Sequence, residues 1–194
     1  MTEKEFFKAK EKALKSLEKA CNENETDEQI MPILHILNNI TECYTTSSCA
    51  GRTVLLEIPR IGDKKAAKFL GKWHEIIKIS NIKKASEKAK KGLIWILAQS
   101  PVIHIGCNDI NIADKLLKTA IASGFKHSGL KSSRRKIVVE ICSTERLDAP
   151  IGRDGNLFCN EEYLQLLVDI GNEIFRASKA KISQFEVNLR QNFV

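Results

Sequence analysis

The segment LIWILAQSPVIHIGCNDINIADKLLKTAIASG, residues 93–124, decides the fold class of this chain. Two apolar runs, 93–98 and 102–107, stand on either side of a Gln-Ser-Pro turn and predict two strands that meet there. Apolar residues then recur at helical spacing up to Gly124, which predicts a helix that a C-terminal glycine ends. The change of period within one segment indicates a protein that combines helices and strands.

The spacing of apolar residues on either side of this segment predicts the rest of the fold. Residues 1–40 and 160–192 carry apolar side chains at three- and four-residue spacing, which predicts an N-terminal helical segment and C-terminal helices. Between them, 41–159 reads as a sheet-rich core of short strands around the central helix. The chain has 194 residues, a length typical of one domain. We therefore expect a single α+β domain over 1–194, with helices packed on a mixed, mainly antiparallel sheet.

The net charge and the hydrophobic content indicate which kinds of partner this protein binds. The chain holds 31 Lys and Arg against 24 Asp and Glu, a net charge of +7, and 43% of its residues are hydrophobic. That apolar share predicts a folded protein, and the positive charge favours an anionic partner, with nucleic acid ahead of a membrane surface. The sequence contains no apolar run long enough for a membrane span, and its first residues are charged, so we expect a cytoplasmic protein without membrane contact.

The cysteines do not form a metal-binding or redox pattern. None of the six lies in a C-x-x-C pair, so neither a zinc site nor a thioredoxin-type motif is predicted. In a cytosolic protein they read as reduced, partly buried small side chains. We expect no metal cofactor and no disulfide framework.

A run of hydroxyl side chains is the most unusual segment. YTTSSCAGR, residues 44–52, places four hydroxyls ahead of a glycine and an arginine, after a predicted strand. Backbone amides, hydroxyls and a guanidinium in one loop suit a carboxylate or a phosphate. The alternative is a solvated hairpin loop. The residues predicted to bind an anion here are Thr46, Ser47, Ser48, Gly51 and Arg52.

The same nine residues resemble the signature loop of the tRNA wybutosine-synthesis methyltransferases. The resemblance continues through PVIHI at 101–105, GFKHSG at 124–129 and RLDAP at 146–150, in the order and near the spacing of that family. It extends over roughly residues 26–190.

This resemblance implies an S-adenosylmethionine-dependent methyltransferase without the doubly wound methyltransferase fold. The implied substrate is the wybutosine-precursor base at position 37 of tRNA(Phe), in the anticodon loop, methylated at its ring nitrogen four. The alternative from another class is a non-catalytic RNA-binding protein, in which the hydroxyl loop binds phosphate and no cofactor binds. Composition and charge fit both, and the sequence does not indicate the oligomeric state.

Each matched residue has a chemical and a structural interpretation. The hydroxyl loop with Arg52 would bind the amino-acid end of the cofactor. His104 would orient the base or accept a proton, since imidazole titrates near neutral pH, and Asp148, in a predicted loop at 144–159, would bind a ribose or a ring nitrogen. Tyr44 would stack on an aromatic ring. The structural alternatives are a satisfied core histidine, a half-buried strand tyrosine and an ordinary loop aspartate.

A second set of matched residues surrounds a basic turn. Ser128 and Gly129 end a predicted strand just ahead of it, either as substrate contacts or as plain turn residues. Charge runs are usually solvated faces, but an RNA substrate makes a phosphate footprint the favoured interpretation here. The predicted phosphate contacts are Lys131, Arg134, Arg135 and Lys136.

Overall fold

The computed structural model describes residues 1–63 and 65–193. Its helices are α1 (Glu3–Asn22), α2 (Met31–Asn39), α3 (Ile79–Ser86), α4 (Ile110–Ala122) and α5 (Glu161–Phe193). Its strands are β1 (Cys43–Cys49), β2 (Arg52–Ile58), β3 (Lys68–Trp73), β4 (Leu93–Gln99), β5 (Val102–Cys107), β6 (Gly129–Ser132), β7 (Ile137–Cys142), β8 (Arg146–Arg153) and β9 (Asn156–Leu157). None of the helices in these two ranges is long and apolar enough to cross a membrane.

The chain divides into two compact units. Unit 1 comprises Met1–Ala50, Pro101–Thr144 and the chain from residue 179 onward, and unit 2 comprises Gly51–Ser100 and Glu145–Ser178. Each unit has its own hydrophobic core and its own sheet. The single domain over 1–194 stays a prediction.

Unit 1 contains a four-stranded sheet in the order β1-β5-β7-β6, and every neighbouring pair is antiparallel. Its core joins the apolar faces of α2 and α4 to β5, β7 and the C-terminal part of α5. Phe125 and Phe185 are fully buried there, with ring centroids 5.6 Å apart in an edge-to-face arrangement. β6 and β7 form a hairpin across the basic turn, and the prediction that Ser128 and Gly129 end a strand is wrong, because β6 begins at Gly129.

Unit 2 contains a five-stranded antiparallel sheet in the order β3-β2-β4-β8-β9. Its core packs α3 and the first part of α5 against one face of the sheet. Two polar contacts tie α5 into this unit, because Asn172 accepts a hydrogen bond from the backbone of Ile77 at 3.0 Å and donates one back at 2.9 Å. Both atoms of the Asn172 amide are therefore satisfied inside unit 2.

The α+β class is confirmed, whereas two details of the prediction are wrong. The strands form two separate sheets with antiparallel pairs instead of one mixed sheet, and successive strands such as β1 and β2 belong to different sheets. The predicted C-terminal helices are one continuous helix, α5. The polar residues between its two apolar stretches include neither glycine nor proline, so nothing in the backbone ends the helix there.

Candidate active site

The hydroxyl run lies on β1, at the edge of the unit 1 sheet. β1 continues through Ser48 to Cys49 and pairs with β5 along its length, so the predicted loop is wrong for this part of the chain. Thr46, Ser47 and Ser48 are exposed. An edge strand has solvent on one side, which allows it to carry three consecutive hydroxyl side chains without burying them.

A bulge explains how neighbouring hydroxyls become exposed together. The β1–β5 register shifts between Thr45 and Ser47, which breaks the strict alternation of a strand. Thr45 is buried, and its backbone N donates to Asn38 Oδ1 at 2.8 Å while Asn38 Nδ2 donates to Thr45 Oγ1 at 3.0 Å. The contact with α2 fixes the inner end of the run, and the outer hydroxyls remain accessible.

A cavity of about 230 Å³ borders this strand within unit 1. Its walls include the hydroxyl residues Thr46, Ser47 and Ser48 together with Asp27. A carboxylate oxygen of Asp27 accepts a hydrogen bond from the backbone N of Ala50 at 2.8 Å. The cavity therefore combines a carboxylate, which suits a cation, with hydroxyl donors, which suit an anion.

A chain of hydrogen bonds runs from this strand across the sheet. Ser47 lies opposite His104 on β5, and His104 lies opposite Glu140 on β7. Ser47 Oγ is 3.0 Å from His104 Nδ1, and His104 Nε2 is 2.8 Å from Glu140 Oε2. Direct opposition in both ladders places the three side chains in one row on the same face.

The Glu140 carboxylate decides which His104 nitrogen carries the hydrogen. An ionised carboxylate only accepts hydrogen bonds, so Nε2 must donate to Glu140. In a neutral imidazole Nδ1 is then an acceptor, and the Ser47 hydroxyl donates to it. The network assigns this tautomer, which leaves the basic nitrogen of His104 facing the hydroxyl run.

Lys131 on β6 completes the chain. Its Nζ is 2.6 Å from Glu140 Oε1, and this hydrogen bond raises the pKa of Lys131. Partial burial opposes ionisation of Glu140, but the hydrogen bonds from Lys131 and His104 outweigh it and hold the pKa of Glu140 below its usual range. Lys131 therefore contacts the Ser47–His104–Glu140 row through the Glu140 carboxylate, within unit 1.

The predicted substrate residues Ser128 and Gly129 lie beside the same row. Gly129 faces Glu140 in the β6–β7 ladder, and a Cβ added there would meet nothing within 4 Å. The space beside the carboxylate is therefore open. Ser128 Oγ donates to the carbonyl of Phe125 at 2.7 Å and accepts from the backbone N of Cys142 at 3.2 Å, so this hydroxyl is engaged in closing the turn.

Tyr44 is buried in unit 1. Its ring lies 5.2 Å from that of Phe6, edge to face, and a Cβ at Gly106 would come within 2.7 Å of it. Burial raises the pKa of Tyr44. Tyr44 is 3% exposed, so in this conformation its ring packs inside the protein.

The rest of the basic turn is exposed. Arg134, Arg135 and Lys136 border a cavity of about 350 Å³ within unit 1, beside the first turn of α1. Within residues 1–63 and 65–193 the structure gives these three side chains no ion pair, in contrast to Lys131. They are the cations of this turn that are available to a phosphate.

Gly51 and Arg52 belong to unit 2. Gly51 has φ +96°, a left-handed conformation that glycine adopts without strain, and it lies immediately before β2. Arg52 Nε donates to Gln99 Oε1 at 2.9 Å, and its guanidinium carbon lies 5.9 Å from the centre of the Phe69 ring. In the described part of the chain its terminal nitrogens make no hydrogen bond, so they can bind an anion.

Asp148 is on strand β8 of unit 2, and its prediction as a loop residue is wrong. It lies opposite Leu97 of β4, and its carboxylate is ion-paired with Arg146. Pro150 favours a loop at the level of sequence because it lacks a backbone donor. The β4–β8 register shifts next to this proline, and a bulge of that kind accommodates it within a strand.

In the part of the chain that the structure describes, no two cysteines form a disulfide. Cys43 and Cys107 are buried directly opposite each other in the β1–β5 ladder. Burial raises the pKa of each of these two thiols to about 12. Both are therefore neutral near pH 7, where a metal would require thiolates.

Comparison with known proteins identifies the family. Residues 8–191 match the family model described as Methyltransferase TYW3. The chain belongs to the methyltransferase TYW3 family. A Pyrococcus horikoshii member named tRNA(Phe) 7-((3-amino-3-carboxypropyl)-4-demethylwyosine(37)-N(4))-methyltransferase 1 is 43% identical over 182 residues, 93% of each chain. A member of the same name from Methanocaldococcus jannaschii, without the final numeral, is 40% identical over 176 residues, 90% of this chain and 91% of its own.

Two solved structures superpose on this chain. The PH1069 protein of Pyrococcus horikoshii superposes with a TM-score of 0.89 at 42% identity, covering 95% of both chains. A protein from Aeropyrum pernix superposes with a TM-score of 0.73 at 24% identity, covering 85% of this chain and 98% of its own, and shows a shared fold. The resemblance stated from the sequence is confirmed.

Two residues of the site were missed from the sequence. Asp27 precedes a 3-10 turn at Glu28–Ile30 and reads as an ordinary helix-start residue, and Glu140 reads as the polar member of an alternating strand. Glu140 lies 36 positions from His104 along the chain. Only the strand register brings the two together, and neither residue stands in a motif that would have marked it.

Proposed function

We propose that this chain methylates the 7-(3-amino-3-carboxypropyl)-4-demethylwyosine base at position 37 of tRNA(Phe), at N4, with S-adenosylmethionine as donor. The observation that carries the proposal is the family match over 8–191, together with relatives that bear this activity in their names. Position 37 lies in the anticodon loop, and the net charge of +7 suits an RNA substrate. The proposed location is the cytoplasm, where tRNA substrates occur.

The cavity beside β1 offers a donor set that fits the cofactor. S-adenosylmethionine carries an ammonium, a carboxylate and a positively charged sulfonium. Asp27 would hold a cationic group, while Thr46, Ser47 and Ser48 would donate to the carboxylate and to ribose oxygens. When bound, the cofactor supplies an electrophilic methyl group for an in-line displacement. Gly51 and Arg52 would bind an anion of the cofactor or of the substrate.

The Ser47–His104–Glu140 row suits the proton that methylation releases. A ring nitrogen that bears a hydrogen loses it when it gains a methyl group. We assign the acceptor role to His104 Nδ1, with the Ser47 hydroxyl passing its own proton to that nitrogen as it takes one from the substrate. Glu140 positions His104, because its carboxylate holds the Nε2 hydrogen and stabilises the imidazolium that forms.

The other predicted contacts have narrower proposed roles. Arg134, Arg135 and Lys136 would bind tRNA phosphates. Asp148 would contact a ribose or ring nitrogen only with the oxygen that Arg146 leaves free. A stacking role for Tyr44, and substrate contacts by Ser128 and Gly129, stay predictions of the family resemblance. The non-catalytic alternative has no support of this kind, because the family match and the relatives' names favour the enzyme.

Two measurements test the proposed function. Thermal unfolding with increasing S-adenosylmethionine should give a Tm that keeps rising with the logarithm of its concentration above Kd, since a ligand that binds the folded state stabilises it by mass action. Radiolabelled methyl transfer should then appear on tRNA(Phe) carrying the precursor base, and unmodified transcript is the matched control. RNA binding with no cofactor-dependent stabilisation and no transfer would instead establish the non-catalytic protein.

A further inference from the structure

Unit 2 carries a row of apolar side chains across four strands of its sheet. Phe69 on β3 lies opposite Leu56 on β2, Leu56 lies opposite Trp95 on β4, and Trp95 lies opposite Pro150 on β8. Directly opposed residues share a face of a sheet, so the four side chains lie on one face. Leu55, which precedes Leu56, belongs to the unit 2 core on the other face.

This row is not sealed like a core. The Phe69 side chain is 61% exposed, Pro150 is exposed, and Leu56 and Trp95 are only half-buried. The helices that close the unit 2 core, α3 and α5, pack with Leu55 and its neighbours instead. A ring with this exposure adds little to folding and presents most of its surface to a ligand.

Cations flank the apolar row on the same face. Arg52 lies opposite Gln99, which lies opposite Arg146, and Lys72 lies opposite Val54 in the intervening row. The carboxylate in these flanking rows, Asp148, is neutralised by its ion pair with Arg146. Aromatic surface is therefore bordered by net positive charge.

Arg52 links the two features. Its guanidinium carbon lies 5.9 Å from the Phe69 ring centre, close enough for a cation–π contact, and Gln99 holds its Nε. Among residues 1–63 and 65–193 the two terminal nitrogens have no hydrogen-bond partner. The exposed Phe69 ring and the terminal nitrogens of Arg52 beside it together suit a planar group that is attached to an anion.

We propose that this sheet face binds a single-stranded RNA segment, with one base stacked on Phe69 and Arg52 bonded to its phosphate or base edge. The proposal rests on the proposed function, which supplies a tRNA loop as the occupant. Unpaired bases are recognised by stacking on aromatic side chains and on guanidinium planes, while cations hold the backbone. An apolar peptide would pack on the apolar side chains but would leave the flanking cations without partners, so RNA is the better fit.

Phe69→Ala tests the stacking contact. Binding of an anticodon stem-loop of tRNA(Phe) should weaken about ten- to a hundredfold, the range for losing one stacked base. The slope of log Kd against log salt should stay unchanged, because no charge is removed. Phe69→Trp should retain binding. Phe158→Ala is the matched control, since Phe158 is 76% exposed and follows β9, at the opposite edge of the five-stranded sheet from β3.

Cross-linking locates the contact independently of turnover. Ultraviolet cross-linking of the same stem-loop should give an adduct on the β3 peptide, Lys68–Trp73, and Phe69→Ala should remove it. The S-adenosylmethionine affinity of Phe69→Ala should equal that of the wild type. Unchanged RNA binding by Phe69→Ala, or an equal loss in Phe158→Ala, would overturn the proposal. Methyl transfer by the wild type separates this outcome from failure of the proposed function. If the wild type transfers methyl and Phe69→Ala binds RNA with unchanged affinity, only the proposed RNA-binding face is refuted.

Discussion

Glu140→Gln isolates the contribution of one carboxylate to the Ser47–His104–Glu140 row. Glutamine has nearly the same shape, so the packing of β7 is preserved, but its side chain is neutral. One amide oxygen can still accept from His104 Nε2, and the charge that would face an imidazolium is lost. The hydrogen bond from Lys131, 2.6 Å long, also loses its charged acceptor.

The magnitude follows from the partial burial of this group. The Glu140 side chain is 17% exposed, so its bond to His104 is only weakly screened. Hydrogen bonds to charged groups contribute about 1.5 to 3 kcal/mol, which corresponds to roughly one to two decades in rate. Because Glu140 acts through His104, the loss should appear in kcat for methyl transfer, while KM for tRNA and Kd for S-adenosylmethionine change by less than about twofold.

Single-turnover methyl transfer, with Tm measured in parallel, is the suitable assay. Lys131→Met is the matched control, because it removes the exposed partner of Glu140 and leaves the bond to His104. An exposed ion pair contributes at most about 1 kcal/mol, so its rate loss should stay under about fivefold. A wild-type kcat in Glu140→Gln would refute the positioning role, and an equal loss in both variants would assign the effect to the Lys131 cation.

The same variant has a pH signature in stability. The pKa of Glu140 is lowered in the folded protein, so its hydrogen bonds stabilise the fold above the ordinary glutamate pKa and are lost as pH falls through the lowered value. The difference in free energy of unfolding between wild type and Glu140→Gln should be full at neutral pH and should close at an acid pH below the lowered pKa of Glu140. Denaturant titrations at neutral pH and at that acid pH measure it, and a difference that persisted below the lowered pKa would contradict the assignment.

Three further predictions concern binding and cofactors. Replacing Arg134, Arg135 and Lys136 together with Ala should weaken tRNA binding and leave cofactor affinity unchanged. The slope of log Kd against log salt should fall by roughly one unit for each phosphate that these cations neutralise. A slope equal to that of the wild type would mean that the turn is solvated and contacts no phosphate. Arg52→Lys should cost about 1.5 to 3 kcal/mol in binding, because lysine lacks the planar fork, and a comparison of tRNA affinity, cofactor affinity and Tm separates an anion contact from a structural ion pair. Chelator and reductant should leave turnover intact, and zinc-restorable loss on chelation is the contrary result.

Local sequence patterns predicted the helices better than they predicted which strands pair. Apolar spacing and Gly124 correctly indicated α4, because helical periodicity is a local signal. The hydroxyl run was expected in a hairpin loop, yet it forms edge strand β1, whose partner β5 lies far along the chain. Nothing local distinguishes a polar loop from a polar edge strand, because the partner supplies the hydrogen bonds.

The structure brings together two of the residues that were predicted from the sequence, and it adds a third that was not. Ser47 and His104 were both named from the sequence, and the structure places them 3.0 Å apart. Glu140 was not, because its role depends on the β5–β7 register, which a single sequence does not encode in recognisable form. Asp148 was placed in a loop because Pro150 argues against a strand, and a bulge beside that proline allows the strand.

Burial of Cys43 and Cys107 also bears on the proposed use of S-adenosylmethionine, a sulfonium methyl donor. Any good nucleophile within reach attacks an electrophilic methyl group, and a cysteine thiolate is a better nucleophile than a ring nitrogen. With a pKa of about 12, Cys43 and Cys107 hold only about one thiolate in 10⁵ molecules at pH 7. With the proposed S-adenosylmethionine donor bound beside β1, these two sulfurs, which lie in the same β1–β5 ladder as Ser47 and His104, would stay unreactive and would escape methylation.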